Sequence, residues 1–405
     1  MKTINKDVLC MMPWLHMHIW PNGNSLPCCM SDSNVVFGNV NDNSIDEIIN
    51  NDKFKTLRKE MLNGIKPSVC SRCYELEETA DVHTLRKNSL MQFEKYIPLV
   101  NLTDSDGTIE DFKLRYMDIR FSNLCNMKCR TCGPELSSKW YEDQIKMYPE
   151  YDKPKFIDLS SREDFMDMLK PHLHFVDEVY FAGGEALITP QHYEVLDYWK
   201  KINRTDVRLR YTTNFSVLKY KKFDILNYWK TFSDVRVAAS LDNFGSKAEY
   251  FRSGTKWDNI VSNRRKMIKE CPDVYFEITP TVSIFNIQDL FDFHRTWVNE
   301  GLLDINSIRI NILTNPRYFS ITLLPTEFKE KISKQYTNYI LWLKQNRAEE
   351  RIINDVKGII DHMNSYDNSS LLPAFISNIE KIDKVRSEKF IDLYTEYTTL
   401  WNQQT

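Results

Sequence analysis

Residues 114–132 read Leu-Arg-Tyr-Met-Asp-Ile-Arg-Phe-Ser-Asn-Leu-Cys-Asn-Met-Lys-Cys-Arg-Thr-Cys. The opening part, Leu114 to Phe121, reads as a β-strand, and Cys125, Cys129 and Cys132 follow it as Cys-x3-Cys-x2-Cys. Three thiolates therefore fall on a loop at the C-terminal end of a strand, the end at which α/β barrels carry their catalytic groups. Three protein ligands on a cubane iron–sulfur cluster leave the fourth iron open to a substrate or cofactor. On spacing alone, a zinc site or unpaired buried thiols compete with that reading.

Outward from this stretch, short apolar or β-branched runs alternate with longer amphipathic ones. The strands expected are Leu114–Phe121, Asp177–Phe181, Val207–Thr212, Val235–Leu241, Val274–Val282 and Ser307–Leu313, with helices such as Gln191–Ile202 and Trp257–Cys271 between them. Alternation of this kind predicts βα units around a parallel sheet. The fold class expected is α/β, a partial (β/α)6 TIM-like barrel over residues 108–320. A small cysteine-rich domain, residues 1–103, precedes it, with Asn/Asp/Gly turns at Pro21–Asn24 and Asn39–Asn43, a helix around Ile45–Asn63 and a linker at Asp104–Gly107. A helical extension, residues 321–405, follows it, with amphipathic runs at Phe328–Gln345 and Ile379–Trp401.

The chain has 405 residues, 42% of them hydrophobic and 13% aromatic, enough for a large core in two or three domains. With 53 Lys and Arg against 56 Asp and Glu, the net charge of −3 indicates no nucleic-acid or membrane partner. The apolar stretch Val8–Trp20 is interrupted by Pro13, His16 and His18 and lacks a signal-peptide cleavage pattern. With no apolar run of spanning length, a cytoplasmic location is expected. Eight of the nine cysteines fall into two clusters, leaving Cys271 alone. In a reducing compartment, grouped cysteines read as metal or cluster ligands before disulfides.

The barrel half resembles the radical S-adenosylmethionine (SAM) superfamily. Besides the three-cysteine loop, Phe181-Ala182-Gly183-Gly184-Glu185 follows the second strand and matches the family's Gly-Gly-Glu element, whose backbone receives the amino group of SAM. Thr212-Thr213-Asn214 follows the third strand, Ser240-Leu241-Asp242 ends the fourth, and Arg252 lies twelve residues past Ser240. The resemblance implies that Gly183, Gly184, Glu185, Asn214, Ser240, Asp242 and Arg252 contact SAM, with Arg252 on its carboxylate, a task suited to a bidentate guanidinium. Thr131 departs from the family, which often has an aromatic residue just before the third cysteine.

In the N-terminal part, Cys10-x12-Gly23-x4-Cys28 and the later Cys70-Ser71-Arg72-Cys73 resemble the opening of the SPASM and twitch domains that carry auxiliary clusters. That resemblance implies a second [4Fe-4S] cluster on Cys10, Cys28, Cys70 and Cys73, with Cys29 a neighbour; a four-thiolate zinc site is the competing reading. His16 and His18 read as packing or surface groups. Most relatives place this domain after the barrel, whereas here it comes first.

The activity implied is reductive cleavage of SAM to methionine and a 5′-deoxyadenosyl radical that abstracts hydrogen from a substrate. A peptide or protein, or alternatively a sugar or nucleoside, is the substrate expected, and flavodoxin or ferredoxin the electron donor. A structural or electron-transfer metal protein is the non-enzymatic alternative. No general base is assigned; Asn286, Asp289 and Tyr318 fall near late-barrel loops, where turn or packing roles compete.

Overall fold

The structure is a computed structural model that describes residues 4–79, 84–159 and 164–402. In chain order its strands are β1 (His16–Ile19), β2 (Asn24–Leu26), β3 (Gly38–Asn39), β4 (Tyr116–Ile119), β5 (Glu178–Phe181), β6 (Arg208–Thr213), β7 (Lys219–Tyr220), β8 (Phe223–Asp224), β9 (Val235–Ala239), β10 (Tyr275–Ile278), β11 (Thr281–Val282) and β12 (Asn311–Ile312). The chain divides into two compact units. One comprises Met1–Leu124, Phe156–Arg210 and Thr231–Val235, the other Cys125–Lys155, Tyr211–Lys230 and Arg236–Thr405.

In the first unit the strands run β3-β2-β1-β4-β5. β1 and β2 form a hairpin with His18 opposite Leu26 and Ile19 opposite Ser25. Its turn uses Gly23 at φ +85°, where a Cβ would come within 2.3 Å of Asn39 Oδ1. A side chain is excluded there by conformation and by space.

β1 lies parallel to β4, from His16 opposite Tyr116 to Ile19 opposite Ile119, and β4 lies parallel to β5. Sequence reading did not anticipate β1 in a sheet with the strand before the cysteine loop. Four residues, two of them histidines, carry too little periodicity, and the partner lies a hundred residues away. Helices Phe165–Leu173 and Pro190–Lys201 supply buried Leu169, Leu173, Tyr193, Leu196 and Trp199, and Trp199 Nε1 donates to Leu173 O at 2.9 Å.

The second unit pairs β9 with β10 in parallel, Val237 opposite Phe276, and Ser240 N, just past β9, donates to Thr213 O at the end of β6 at 2.8 Å. The strand expected over 274–282 is two strands, β10 and β11, separated at Pro280, which has no N–H for a ladder. The strand expected over 307–313 is reduced to a bridge at Ile308 and the short β12, paired with β11.

Helices Thr326–Gln345, Glu350–Ser365 and Leu372–Arg386 make up most of the C-terminal part, as its amphipathic runs predict. The run expected over 379–401 is interrupted at Ser387, whose left-handed φ of +55° ends the helix. No helix among the described residues is long and apolar enough to cross a membrane.

The β1–β4 pair carries a buried ionic group. His18 Nδ1 donates to Asp118 Oδ2 at 2.9 Å and Arg120 Nε to Asp118 Oδ1 at 2.8 Å, with His18 and Asp118 both buried. Burial alone would raise the Asp118 carboxyl, but Arg120 and His18 outweigh it and hold it well below the usual carboxylate range. Its stabilising contribution is therefore present above about pH 4 and lost as the pH falls further. Asp118→Asn should destabilise the protein by about 3–5 kcal/mol at pH 7, measured by denaturant unfolding, and the difference from wild type should shrink below about pH 4.

Candidate functional site

The three-cysteine loop opens the second unit, with Cys125 buried and Cys129 and Cys132 half-buried. Its backbone is fastened from several directions. Cys125 N donates to Ser138 Oγ at 3.2 Å, Lys128 N to Ser253 O at 2.9 Å, Arg130 N to Phe251 O at 2.9 Å and Cys132 N to Cys129 O at 3.0 Å. Trp140 Nε1 donates to Cys129 O at 2.7 Å. The loop's conformation is thus held by hydrogen bonds that do not involve its sulfur atoms.

Several residues expected around SAM converge on this loop. Asn214 Nδ2 donates to Asn126 Oδ1 at 2.8 Å, and Ser216 links the same two asparagines. Arg252 donates through Nε to Asp242 Oδ2 at 2.6 Å and through Nη1 to Cys129 Sγ at 3.5 Å. Asp242 Oδ1 accepts Thr281 N at 2.8 Å, so the carboxylate is fixed on both sides. Burial works against the Arg252 charge, but Asp242 and Cys129 more than compensate and hold it firmly protonated. Burial raises the Cys129 thiol, opposed by Arg252, and pushes Cys132 up to about 12. Ser240 stands at the end of β9, tied by its backbone to Thr213.

The Gly-Gly-Glu element lies in the first unit. Glu185 N donates to Leu124 O at 2.8 Å. A Cβ on Gly184 would come within 2.3 Å of Leu124 O and 2.8 Å of Ser122 O. Only glycine allows this approach, and the backbone it touches leads directly into Cys125. The Glu185 carboxylate accepts Leu187 N at 3.1 Å and caps the turn that follows.

The other expected cluster is also in the first unit. Cys10, Cys28, Cys70 and Cys73 line one small cavity, together with Met30, Ser31, Tyr74, Leu85 and Arg86. Burial pushes Cys10 up to about 11 and raises Cys28 and Cys70 as well, and neighbouring thiols of the set add to the rise in each. Thiols that hinder one another's ionisation in an apolar enclosure are suited to a cation that takes the thiolates together. Cys29 is exposed and does not line that cavity.

The donor chemistry at both places fits an iron–sulfur cluster, since soft thiolates are the ligands such clusters take. In the second unit the remaining cysteine, Cys271, is buried and donates to Leu226 O at 3.6 Å, so three thiols share the loop.

His16 and His18 are buried in β1; His16 Nδ1 donates to Tyr116 O, and burial holds its imidazole down to about 4. Asn286 Nδ2 donates to Asp242 O and Thr281 O, and Asp289 accepts from Asn243 and Lys247, so both serve the fold around the site. Tyr318 is half-buried and its phenol is raised by burial. Two cations inside the loop were not anticipated. Lys128 reaches Asp143 at 2.8 Å, and the buried Arg130 stacks on Tyr250, 3.5 Å from the ring centre. Their only trace in sequence is that both stand between cysteines of the Cys-x3-Cys-x2-Cys motif.

Residues 10–74 match SPASM, an iron–sulfur cluster-binding domain. The match contains Cys10, Cys28, Cys70 and Cys73 and the hairpin glycine Gly23. No curated protein matches the chain. Among solved structures, anSMEcpe with bound AdoMet and Cp18Cys peptide aligns at 15% identity and a TM-score of 0.32, over 55% of this chain and 56% of that one. Streptococcus suis SuiB bound to precursor peptide SuiA aligns at 13% and 0.38, over 86% of this chain and 71% of that one. TYW1 with a lysine-pyruvate adduct bound aligns at 13% and 0.30, over 55% and 70%. The chain thus covers little more than half of anSMEcpe.

If the SPASM segment and the three-cysteine loop each hold a cubane, the anaerobically reconstituted protein should contain about eight irons per chain. Cys125→Ala and Cys28→Ala should each retain about four, and Cys29→Ala all of them, as measured by metal analysis.

Proposed function

We propose that the chain is a radical SAM enzyme with a SPASM-type auxiliary cluster domain at its N-terminal end. The observation that carries this reading is the Cys125–Cys132 loop, three thiols on one fastened backbone with the Arg252–Asp242 pair against Cys129. The organisation we assign is an auxiliary-cluster domain over residues 1–103, a core partial barrel over 108–320 and a helical extension over 321–405.

Cys125, Cys129 and Cys132 would hold the cluster that, when bound, supplies the electron that cleaves SAM to methionine and a 5′-deoxyadenosyl radical. Cys10, Cys28, Cys70 and Cys73 would hold the auxiliary cluster. By resemblance, the backbone of Gly183, Gly184 and Glu185 receives the amino group of SAM, and Asn214, Ser240 and Asp242 its polar groups. Arg252 serves its carboxylate. Because that guanidinium is already oriented by Asp242, it needs little reorganisation to meet an anion. The protein's own task is to orient the substrate's target hydrogen and keep water away from the radical.

SPASM domains accompany radical SAM enzymes that modify peptides and proteins, and we assign the substrate to that class. A flavodoxin or ferredoxin would deliver the electron.

With SAM and a strong reductant, the reconstituted protein should form 5′-deoxyadenosine, quantified by chromatography. Cys125→Ala should abolish that product. If wild type containing a full complement of iron cleaves no SAM, the enzymatic reading falls. A product assay with a peptide panel against sugar and nucleoside pools then separates the two substrate classes.

A further inference from the structure

The two cations within the cysteine loop lead to helix Leu372–Arg386. Asp143, the partner of Lys128, also accepts Arg386 Nε at 2.7 Å, in the last turn of helix Leu372–Arg386. Arg386 is almost fully buried, and its guanidinium lies over the Trp140 ring at 4.6 Å. Trp140 is the residue that donates to Cys129 O. From the same helix, Asp383 Oδ1 accepts Arg130 Nη2 at 2.6 Å and the Tyr250 hydroxyl at 2.8 Å. The left-handed turn at Ser387 then brings Glu388 onto Arg130 at 2.5 Å. The contacts between loop and helix span some 250 residues of sequence, for example 253 between Arg130 and Asp383.

Two features exceed what fastening a loop requires. Burying a guanidinium is costly unless its donors are used. Yet Arg386 Nη1 and Nη2 and Arg130 Nη1 are buried without a hydrogen-bond partner. In addition, the Arg386 guanidinium lies over the very ring whose N–H holds the Cys129 carbonyl. Buried positive charge with unspent N–H donors therefore lies one indole ring away from the Cys129 backbone. Net charge, hydrogen bonds to sulfur and solvent access are the levers by which a protein sets an iron–sulfur potential.

We infer that helix Leu372–Arg386 is a potential-setting brace of the three-cysteine site, in which Asp383 and Glu388 fix Arg130 while Arg386 places a buried cation that favours the reduced cluster. This rests on the reading that Cys125, Cys129 and Cys132 hold an iron–sulfur cluster. Arg386 and Glu388 are positioning residues and act through the field they place at the site. Since they carry opposite charge, their removal should move the potential in opposite directions.

The test is a redox titration of the reconstituted full-length protein, followed by the electron paramagnetic resonance signal that responds to SAM. Arg386→Gln should lower the midpoint, leaving the cluster about tenfold less reduced at a fixed potential, about 59 mV for one electron. Arg386→Lys should restore most of the difference. Glu388→Gln, at a partly exposed side chain, should shift the midpoint upward with iron content unchanged. Equal shifts in the glutamine and lysine variants of Arg386, or shifts of the same sign at Arg386 and Glu388, would mean packing alone and overturn the inference. So would an unmoved midpoint in Arg386→Gln at full iron content. If Arg386→Gln fails to retain iron, the Glu388→Gln shift decides, upward in support and absent or downward against. Wild type without any SAM-responsive signal overturns the underlying reading of the site, an outcome separable from a signal whose potential stays fixed.

Discussion

Three thiols on an eight-residue loop hold one cluster at least entropic cost when the backbone between them is already fixed. In this protein the loop's own amides meet that condition. Lys128 and Arg130 donate to the backbone of Ser253 and Phe251, and Cys132 closes a turn on Cys129. The Cys129 carbonyl is in turn held by Trp140. Unpaired buried amides are costly, so a loop fastened in this way has few alternative backbone conformations.

The auxiliary site solves the same problem differently. Its four cysteines come from three separate stretches of chain and meet around an apolar enclosure with Tyr74 and Leu85. The supports are Arg86, paired with the Glu77 carboxylate and donating to Leu9 O at 3.0 Å, and the Tyr74 hydroxyl, which donates to Val8 O at 2.6 Å. Both reach the segment that carries Cys10. Thiols in such a place stay protonated until a cation takes them as thiolates, which couples metal binding to proton release and to the fold in small cysteine-rich domains.

Much of this was legible from the sequence because the chemistry is local. The Cys-x3-Cys-x2-Cys spacing, the glycines that must let backbone approach backbone, and the hairpin around Gly23 each sit within a few residues. Helices Pro190–Lys201 and Trp257–Glu270 lie within a residue or so of their expected bounds because their apolar faces repeat at helical spacing. What escaped is non-local. Strand β1 is defined by a partner a hundred residues away, and Arg130 by acids at 383 and 388. A lone cation between two cysteines carries no sign of a distant carboxylate. The break at Ser387 escaped because a serine in the left-handed region has no compositional signature.

The central claim is that the three-cysteine cluster leaves one iron for SAM while the SPASM segment keeps its own cluster. Electron paramagnetic resonance of the reduced protein, recorded with and without SAM in wild type, Cys28→Ala and Cys125→Ala, tests it most directly. The account predicts that SAM perturbs a signal in wild type and in Cys28→Ala but none in Cys125→Ala. A SAM-responsive signal that survives in Cys125→Ala and disappears in Cys28→Ala would contradict it.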